Sequence, residues 1–349
     1  MRESIKLSII VTIYNVERYV RECLDSIFNQ DLNKDDYEVI IVNDGTEDNS
    51  INVITDLISS HDNVTIIDQE NSGSSVAWNN GIANAKGEYI LIVDADDLLI
   101  EGRLIPLLET ALETKADIVI ADYVELDEED FTPSKISTLT TGNTAFSYQI
   151  MTGKEMFLYE HHPSQCYVWR KLYKKQFLLD NHISFVPGIH FQDIPFTSEC
   201  YILAEKCVKA SYLLYIYRLK NYRKCHDFDV EKCHENAIAI AKTWDLISRY
   251  HLIGEIRAKI EDNIYVNFIN FSRRVSHLII DYKEREGVFD HLRQMVPNFR
   301  LRNSIKQKIV TYLFCYYPHC FNNMRFFYVR IIEDKILSLY RRAYFKFFR

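Results

Sequence analysis

Short apolar segments alternate with amphipathic segments through the first 123 residues of the chain. Runs of aliphatic and β-branched residues predict buried strands at residues 7–13, 38–42, 64–68, 89–93 and 118–123. Between these runs, apolar residues spaced three and four apart predict helices at residues 16–30, 50–60, 73–85 and 104–114. Strands and helices that alternate at these lengths are typical of βαβ units. We therefore expect an α/β fold, with a mostly parallel sheet flanked by helices.

The pattern changes after residue 123. Residues 127–144 are polar and acidic and predict a loop or excursion, and residues 213–218 predict another short strand. Thr152 and Glu155 have the spacing of a capping box, which predicts the start of a helix. From about residue 230 the apolar spacing is helical, so we predict a boundary near residues 222–230. The expected domains are residues 1–225, which form the α/β part, and residues 226–349, which form a helical C-terminal region.

Polar residues cluster at the carboxyl ends of the first predicted strands. The four clusters are Thr12-Ile13-Tyr14-Asn15, Asn43-Asp44-Gly45, Asn71-Ser72-Gly73 and Asp94-Ala95-Asp96. Because the carboxyl ends of parallel strands lie along one edge of a sheet, we expect these clusters to converge where α/β proteins bind ligands. Tyr14 can stack on a base, Asp44 can accept from a ring N–H, and the N–H groups after Gly73 can face an anion. Together they predict a site for a nucleoside diphosphate.

Three carboxylates, Asp94, Asp96 and Asp97, follow the strand predicted at residues 89–93. Like charges are costly to bury, so we expect them to be solvated or neutralised by a cation. On an extended backbone Asp94 and Asp96 point to the same side, and two such oxygen donors suit Mg²⁺ or Mn²⁺ shared with a phosphate. The alternative is a turn in which Asp97 caps a helix that begins at Leu98.

Composition limits the class of protein. Hydrophobic residues make up 47% and charged residues 26% of the 349-residue chain, which is ordinary for a globular protein. No apolar run reaches the roughly 18 residues of a membrane-spanning helix. The start of the chain lacks a signal-cleavage pattern, and the 8 cysteines lack a disulfide framework. We therefore expect a reducing, cytoplasmic location.

The net charge of −8 conceals a basic C-terminal segment. Residues 299–349 contain 11 basic and 2 acidic side chains, a net charge of +9, whereas the remainder has 30 and 47, a net charge of −17. Residues 325–349 have one apolar face at helical spacing and basic residues over much of the rest, which predicts an amphipathic helix. This helix can pack on the acidic body of the protein or lie on an anionic membrane surface. The acidic body argues against a nucleic-acid partner.

The strand-end motifs, in this order and spacing, resemble those of inverting glycosyltransferases of family two with the GT-A fold. The matching stretches are residues 8–15, 42–48, 71–81 and 87–97, followed by Val168-Trp169-Arg170-Lys171-Leu172-Tyr173 and Tyr215-Ile216-Tyr217-Arg218. The resemblance covers about residues 4–222. It implies a nucleotide-sugar-binding half at residues 1–123 and an acceptor half at residues 124–225.

The resemblance implies a metal-dependent enzyme of the bacterial surface-polysaccharide type. Such an enzyme moves a hexosyl or N-acetylhexosaminyl group from a nucleotide-diphosphate sugar, usually a UDP-sugar, to a hydroxyl group of a glycan or lipid-linked glycan. The product would be a capsule, O-antigen or other surface polysaccharide. A lipid-linked acceptor favours the membrane-surface interpretation of residues 325–349, so we expect a cytoplasmic protein that is peripheral on the inner face of the plasma membrane.

The resemblance also implies roles for individual residues. Tyr14 and Asp44 would hold the nucleobase, Asp94 would contact the ribose or the metal and its waters, and Asp96 would bind the Mn²⁺ or Mg²⁺ ion. The remaining expected donor-binding residues are Thr12, Asn15, Glu17, Gly73, Asn79 and Ala95. The catalytic base is expected at Asp193, within Gln192-Asp193-Ile194-Pro195-Phe196. Asp193 can at the same time cap a helix whose first residue is Pro195.

Three positions depart from the family pattern. Thr12 stands where Pro is usual, Trp78 where Arg is common, and Gln192 where Glu precedes the base. Trp78 and Gln192 favour an alternative, a catalytically impaired module that binds a sugar nucleotide or a partner. A sugar-nucleotide nucleotidyltransferase is disfavoured, because residues 14–17 replace the glycine-rich, basic loop that such an enzyme needs after its first strand.

Overall fold

The computed structural model describes residues 5–142, 145–162, 166–219 and 229–329, which form two compact units. The first unit contains the described residues up to 160 together with 166–188 and 199–219. The second contains 161–162, 189–198 and 229–329. The domain boundary predicted near residues 222–230 falls largely outside the described residues, as does most of the helix predicted at 325–349, and both stay predictions.

The described part of the first unit contains a nine-stranded sheet. Its strands are β1 (Leu7–Ile13), β2 (Tyr37–Asp44), β3 (Val64–Gln69), β4 (Tyr89–Asp94), β5 (Leu98–Leu99), β6 (Ile118–Asp127), β7 (Tyr148–Met151), β8 (Lys171–Lys174) and β9 (Cys207–Leu219). Their order is β3-β2-β1-β4-β8-β6-β9-β5, with β7 also paired to β9. The first four strands in this order are parallel to one another.

The direction of the later strands decides which ends share an edge. Strand β8 runs antiparallel to both β4 and β6, and β9 runs parallel to β6. The carboxyl ends of β4, β6 and β9 and the amino end of β8 therefore lie along the same edge as the carboxyl ends of β1 and β2. This edge is called the carboxyl edge below.

Helices connect these strands and make up most of the second unit. They are α1 (Val20–Phe28), α2 (Thr55–Ser60), α3 (Ser74–Asn84), α4 (Leu104–Thr114), α5 (Pro133–Thr141), α6 (Gly153–Tyr159), α7 (Lys175–Asp180), α8 (Asp193–Leu203), α9 (Val230–Arg249), α10 (Gly254–Leu278), α11 (Tyr282–Met295), α12 (Ile305–Tyr316) and α13 (Pro318–Phe327). Short 3₁₀ segments occupy Asn52–Ile54 and Glu128–Asp130. None of the described helices is long and apolar enough to cross a membrane.

Each unit has its own apolar core. In the first unit, alternate residues of β1 pack with Val20, Leu24 and Ile27 of α1, and the opposite face of the strand is buried as well. A strand buried on both faces explains the continuous apolar run in its sequence. In the second unit, Phe268 packs edge-on against Phe314, with ring centroids 4.9 Å apart. The fold class predicted from the sequence, a GT-A sheet followed by a helical region, is confirmed.

Three local predictions need correction. Asp97 does not start a helix, because Leu98–Leu99 is strand β5, which pairs with β9. The polar stretch at residues 127–144 contains α5, which Thr132 caps by accepting a hydrogen bond from the N–H of Lys135. Helix α8 begins at Asp193 itself, so Pro195 is its third residue rather than its first. Proline is tolerated there because the first N–H groups of a helix have no partner within it.

Candidate active site

The carboxyl edge brings the predicted polar clusters together. Thr12 lies in register between Val42 of β2 and Asp94 of β4, and Ile13 lies beside Asn43. Parallel pairing therefore places the end of β1 between the ends of β2 and β4. The convergence that the sequence predicted for these three strands is observed.

The turn after β4 has one buried carboxylate and two that are partly exposed. The N–H of Asp97 donates to the carbonyl of Asp94 at 3.0 Å, which closes the turn. The Asp97 side chain is 1% exposed and accepts from the Tyr215 hydroxyl at 2.9 Å and the Arg218 N–H at 2.7 Å. Asp94 and Asp96 are half-buried, and Ala95 between them is buried. Asp97 thus fixes the turn, while Asp94 and Asp96 keep surface at the edge.

Burial has an electrostatic consequence at this turn. Desolvation raises the pKa of Asp97 well above its usual value, and the negative charges of Asp96 and Asp94 raise it further. The hydrogen bonds from Arg218 and Tyr215 lower this pKa but do not outweigh the other effects. A carboxyl group in this setting holds its proton more tightly than usual. The turn consequently carries less negative charge than three ordinary aspartates at the same pH.

Arg218 and Tyr215 support the turn from strand β9. The Arg218 Nε donates to the carbonyl of Asp96 at 2.9 Å, and its Nη2 to Glu22 at 2.8 Å. Its guanidinium lies 3.5 Å from the ring centroid of Phe131. The Tyr215 hydroxyl also accepts from the N–H of Asp94 at 3.2 Å. Sequence reasoning assigned no role to either residue, although both stand in a motif that matched the family.

Asp44 organises the loop that leads into α3. It is 4% exposed, and its Oδ1 accepts from Gln69 Nε2 at 2.7 Å and from the N–H of Ser72 at 2.8 Å. Its Oδ2 accepts from the N–H of Gly73 at 3.0 Å. Gly73 has φ of +82°, which glycine adopts without the penalty that a Cβ brings. Asp44 therefore positions the start of α3, and its predicted contact with a base stays a prediction.

A second network joins the loops that follow β1 and β2. Asp48 Oδ2 accepts from the N–H of Glu17 at 3.0 Å, and its Oδ1 accepts from Thr46 Oγ1 at 2.8 Å and from the Ser50 hydroxyl. Asn15, with φ of +53°, donates its N–H to Thr46 Oγ1 at 2.8 Å. Burial by itself would raise the pKa of the Asp48 carboxyl. The hydrogen bonds from Ser50, Glu17 and Thr46 outweigh this effect and lower the pKa to about 2.

This network holds an exposed aromatic residue. Tyr14 is 43% exposed and directly precedes the tied residue Asn15. The Glu17 carboxylate accepts from the N–H of Asn49 at 3.2 Å. Asn15 and Glu17 therefore join the two loops, and Tyr14 presents its ring to solvent. The donor contacts predicted for these three residues and for Thr12 are untested.

Asn79 and Trp78 connect α3 to the segment after α7. The Asn79 amide donates to the carbonyl of Phe185 at 2.8 Å and accepts from its N–H at 2.9 Å. The Trp78 ring is buried against Phe185, with centroids 4.8 Å apart. Both residues thus have a packing role in the structure, and the donor contact expected of Asn79 stays a prediction.

Asp193 belongs to the second unit. It is the first residue of α8 and is half-buried, as is Gln192 before it. The preceding Phe191 has φ of +65°, and its carbonyl accepts from the N–H of Ile194 at 3.2 Å. The Arg274 guanidinium lies 4.6 Å from the Phe191 ring centroid. This turn holds Asp193 at the start of its helix, and its role as a base stays a prediction.

Known proteins are similar to this chain in sequence and in fold. The family described as Glycosyl transferase family 2 matches residues 8–178. The uncharacterized glycosyltransferase EpsJ of Bacillus subtilis is 30% identical over 274 residues, 74% of this chain and 74% of that protein. The poly(ribitol-phosphate) beta-glucosyltransferase of Bacillus spizizenii is 29% identical over 218 residues, 62% of this chain and 32% of that protein.

The fold is similar to that of a solved structure. Residues 1–349 of S. aureus TarS in complex with UDP-GlcNAc superpose with a TM-score of 0.68 at 18% identity, covering 97% of this chain and 92% of that one. At this identity the likeness concerns the fold. The match to EpsJ and the family match over residues 8–178 both concern the sequence, and together they establish the relationship. The chain therefore belongs to glycosyltransferase family 2.

Proposed function

We propose that this chain transfers a sugar from a UDP-sugar to a hydroxyl group of a glycan or lipid-linked glycan, with inversion at the anomeric carbon. The observation that carries the proposal is the register of Thr12 beside Asp94, which joins the Asp94–Asp97 turn to the strand that ends at Ile13, just before Tyr14. The UDP-GlcNAc complex of TarS and the polymer named for the B. spizizenii relative support a UDP-sugar donor and a surface-polymer product.

The residues at the turn fit a divalent cation. Asp94 ends a buried strand and Asp96 lies in the turn after it, and both are partly exposed, while Asp97 is buried and hydrogen-bonded within the protein. In the described residues no group of three or more His, Cys, Asp or Glu side chains could hold a metal ion. Two carboxylates that share Mg²⁺ or Mn²⁺ with substrate phosphates are a common arrangement. When bound there, the ion would offset the negative charge that grows on the departing diphosphate.

The surrounding residues would bind and orient the donor. Tyr14 offers an exposed ring on which a uracil can stack. A helix start such as that of α3 leaves N–H groups without a partner within the helix, and such groups favour a diphosphate. Asp44 keeps this start in place through its bonds to Ser72 and Gly73. Holding the reactants in one orientation supplies much of the rate enhancement of a two-substrate reaction.

Asp193 is the proposed base. Its carboxylate would take the proton from the acceptor hydroxyl as that oxygen forms a bond to the anomeric carbon and the bond to the UDP oxygen breaks. Attack from the side opposite the leaving group inverts the configuration. Gln192 in place of a glutamate leaves one negative charge fewer beside the base. This difference changes the local charge near Asp193.

Donor turnover tests the proposal. The full chain is incubated with a panel of UDP-sugars in Mn²⁺, in Mg²⁺ or in EDTA, and released UDP is measured. We expect release from at least one donor with metal and none in EDTA. Calorimetric binding of UDP without any turnover would instead favour the catalytically impaired module. Absence of both binding and turnover would reject the proposal.

The Asp193→Asn variant tests the base. Loss of general-base catalysis is expected to lower turnover by about a hundredfold or more, with the Kd for UDP little changed. Asp62→Asn is the matched control, since Asp62 is an exposed carboxylate that pairs with Lys34 at the surface. Transfer at the parent rate would remove Asp193 from the mechanism, and NMR of a product with retained configuration would reject single displacement.

The membrane-surface interpretation of the C-terminal segment is also a proposal. It is supported by exposed aromatic side chains near the end of the described residues, at Tyr316, Tyr317, Phe327 and Tyr328. Rings of this kind are favoured at a membrane interface, where neighbouring basic residues add attraction to anionic lipid. The full chain should pellet with phosphatidylserine vesicles and be released by salt. A chain that lacks residues 325–349 should remain in solution and still release UDP. Precipitation of the shortened chain would show that the segment belongs to the core.

A further inference from the structure

Five aromatic side chains form a stack beside the Asp94–Asp97 turn. The aromatic stack consists of Tyr123, Tyr167, Trp169, Tyr215 and Tyr217. The Trp169 ring lies nearly parallel to three of the others, with centroid distances of 4.1 Å to Tyr215, 4.7 Å to Tyr167 and 5.3 Å to Tyr217. Tyr123 meets Trp169 edge-on at 5.1 Å. The side chains thus form one continuous block.

The topology places the stack on one side of the turn. Tyr123 lies on β6, Tyr215 and Tyr217 lie on β9, and Tyr167 and Trp169 come just before β8. In the sheet order, β8, β6 and β9 follow β4 on the side away from β1 and β2. The strands that lead to Tyr14 and Asp44 lie on the other side of β4. A sugar nucleotide whose base lies at these residues and whose diphosphate lies at β4 would not cover the stack. The stack would then be available to the second substrate, the acceptor.

The stack is continuous with the site. The Tyr215 hydroxyl touches both Asp97, at 2.9 Å, and the N–H of Asp94, at 3.2 Å. Burial, followed by Asp97 and then Tyr167 and the two other aspartates of the turn, raises the pKa of the Tyr217 hydroxyl. Tyr217 thus lies within the electrostatic field of the turn. A ligand on its ring would lie near the reacting groups.

The stack has an interior and an outer part. Trp169 and Tyr215 are buried, whereas Tyr123, Tyr167 and Tyr217 pack against the core and remain partly exposed. Rings that only fill a core are usually covered by other apolar groups. Aromatic surface that remains open beside a few polar groups is typical of a small-molecule site.

A polar group with donors to spare lies against the stack. The Arg170 guanidinium lies 5.3 Å from the Tyr123 ring centroid. Its Nε is buried and has no hydrogen-bond partner among the described residues. A guanidinium has five N–H donors in a planar fork. Because Arg170 as a whole is half-buried and its fork has further N–H donors, it can donate to hydroxyl groups of a ligand that lies on the neighbouring rings.

We propose that Tyr123, Tyr167 and Tyr217 form an acceptor subsite that binds a pyranose ring, with Arg170 donating to its hydroxyl groups. The proposal rests on the glycosyltransferase function proposed above and adds the class of acceptor. The C–H face of a pyranose is apolar and flat enough to pack on an aromatic ring, while its hydroxyl groups need hydrogen-bond donors at the rim. An acyclic polyol phosphate has no such face and gains nothing from the stack.

The test uses Tyr167→Leu, which removes one outer ring. The acceptors are p-nitrophenyl β-glucopyranoside, its galacto and N-acetylglucosamine analogues, and ribitol 5-phosphate, with the donor that the wild-type chain hydrolyses. We expect the KM for the pyranosides to rise about tenfold, while the KM for donor and the rate of donor hydrolysis stay within about twofold. Tyr167→Phe keeps the ring and should restore the KM. Tyr312→Leu, at an exposed tyrosine of the second unit, is the control.

Several results would overturn the proposal. A second variant, Tyr123→Leu, replaces Tyr167→Leu in the test if the latter does not fold. An unchanged KM for pyranosides in the folded variants would overturn the proposal. So would an equal loss with ribitol 5-phosphate, which would show general disturbance of the site. A wild-type chain that hydrolyses its donor but uses no pyranoside would reject the subsite while leaving the transferase function intact. Absence of donor turnover in the wild type would reject both.

Discussion

The two edges of the parallel strands carry carboxylates in opposite situations. At the amino ends, Glu38 is 4% exposed and accepts from the Ser8 hydroxyl at 2.7 Å and the N–H of Lys86 at 2.6 Å. At the carboxyl ends, Asp94 and Asp96 keep part of their surface in solvent. The same sheet therefore buries one acidic group almost completely and leaves two others partly exposed at a turn.

The difference separates the carboxylates that hold the fold from Asp94 and Asp96, for which we propose a chemical role. Near Glu38 the segments at Gly87 and Ser8 lie so close together that a Cβ at Gly87 would be 2.4 Å from the backbone N of Ser8. The N–H of Gly87 donates to the Ser8 hydroxyl. The hydrogen bonds of Glu38 and Ser8 therefore tie neighbouring chain segments together at this edge. At the other edge, Asp97 takes the structural role, and Asp94 and Asp96 remain where a cation and a diphosphate can reach them.

The largest expected effect on transfer comes from Asp96→Asn. Loss of a carboxylate at the proposed metal site should lower turnover by roughly a thousandfold, because the charge on the leaving diphosphate is no longer offset. The melting temperature should stay close to that of the wild type, since Asp96 is partly exposed. Turnover in EDTA at a near-normal rate would contradict this assignment.

A smaller loss of activity is expected from Tyr215→Phe. The change removes the hydroxyl that joins Asp97 to the N–H of Asp94 and leaves the stacked ring in place. Displacement of the turn should lower kcat about tenfold. Because the buried Asp97 carboxyl loses a hydrogen-bond donor, the free energy of unfolding should fall by about 1–2 kcal/mol. Steady-state kinetics and urea unfolding measure the two effects. If only stability changes, the turn does not depend on β9 for its position.

Glu38→Ala tests the opposite edge. The Ser8 hydroxyl and the N–H of Lys86 both lose their buried acceptor, so the free energy of unfolding should fall by about 3 kcal/mol. Transfer by the folded protein should be unchanged, since the residue lies at the far end of the strands. A large loss of kcat in the variant that remains folded by circular dichroism would erase the distinction between the two edges.

The smallest effect is a pH dependence at the loops that hold Tyr14. The pKa of Asp48 is lowered to about 2, so its carboxylate stabilises the folded state above the unfolded pKa. This stabilisation is lost as the pH falls through about 2. The difference in melting temperature between the wild type and Asp48→Asn should therefore shrink from pH 5 towards pH 2. A constant difference would show that the hydrogen bonds do not depend on the charge.

The first half of the sheet could be predicted closely from the sequence because its signals are local. The bounds predicted for β1 and α4 agree with Leu7–Ile13 and Leu104–Thr114, since apolar runs and helical spacing report burial directly. The capping box at Thr152 is also confirmed. The convergence of Thr12, Asn43 and Asp94 followed from parallel pairing, which requires no knowledge of side-chain contacts.

The later elements depended on partners far away in the chain. Strand β5 forms at Leu98–Leu99 because β9, more than 100 residues later, pairs with it, and a local turn signal could not reveal this. Strand β8 is rich in lysine and was not predicted, although Lys171 is buried. The support of the turn by Tyr215 and Arg218 was missed for the same reason. Their motif was visible, but its target lies on another strand.

The central claim is that the carboxyl edge binds a nucleoside diphosphate through Asp94 and Asp96 with a divalent cation. Isothermal titration of the wild type, Asp96→Asn and Glu38→Ala with UDP, each in Mn²⁺ and in EDTA, tests it without knowledge of the sugar. The account predicts that the wild type and Glu38→Ala bind UDP at least tenfold more tightly in Mn²⁺ than in EDTA, and that Asp96→Asn loses this difference. Equal affinity of the wild type in Mn²⁺ and EDTA, or an undiminished response to Mn²⁺ in Asp96→Asn, would contradict it.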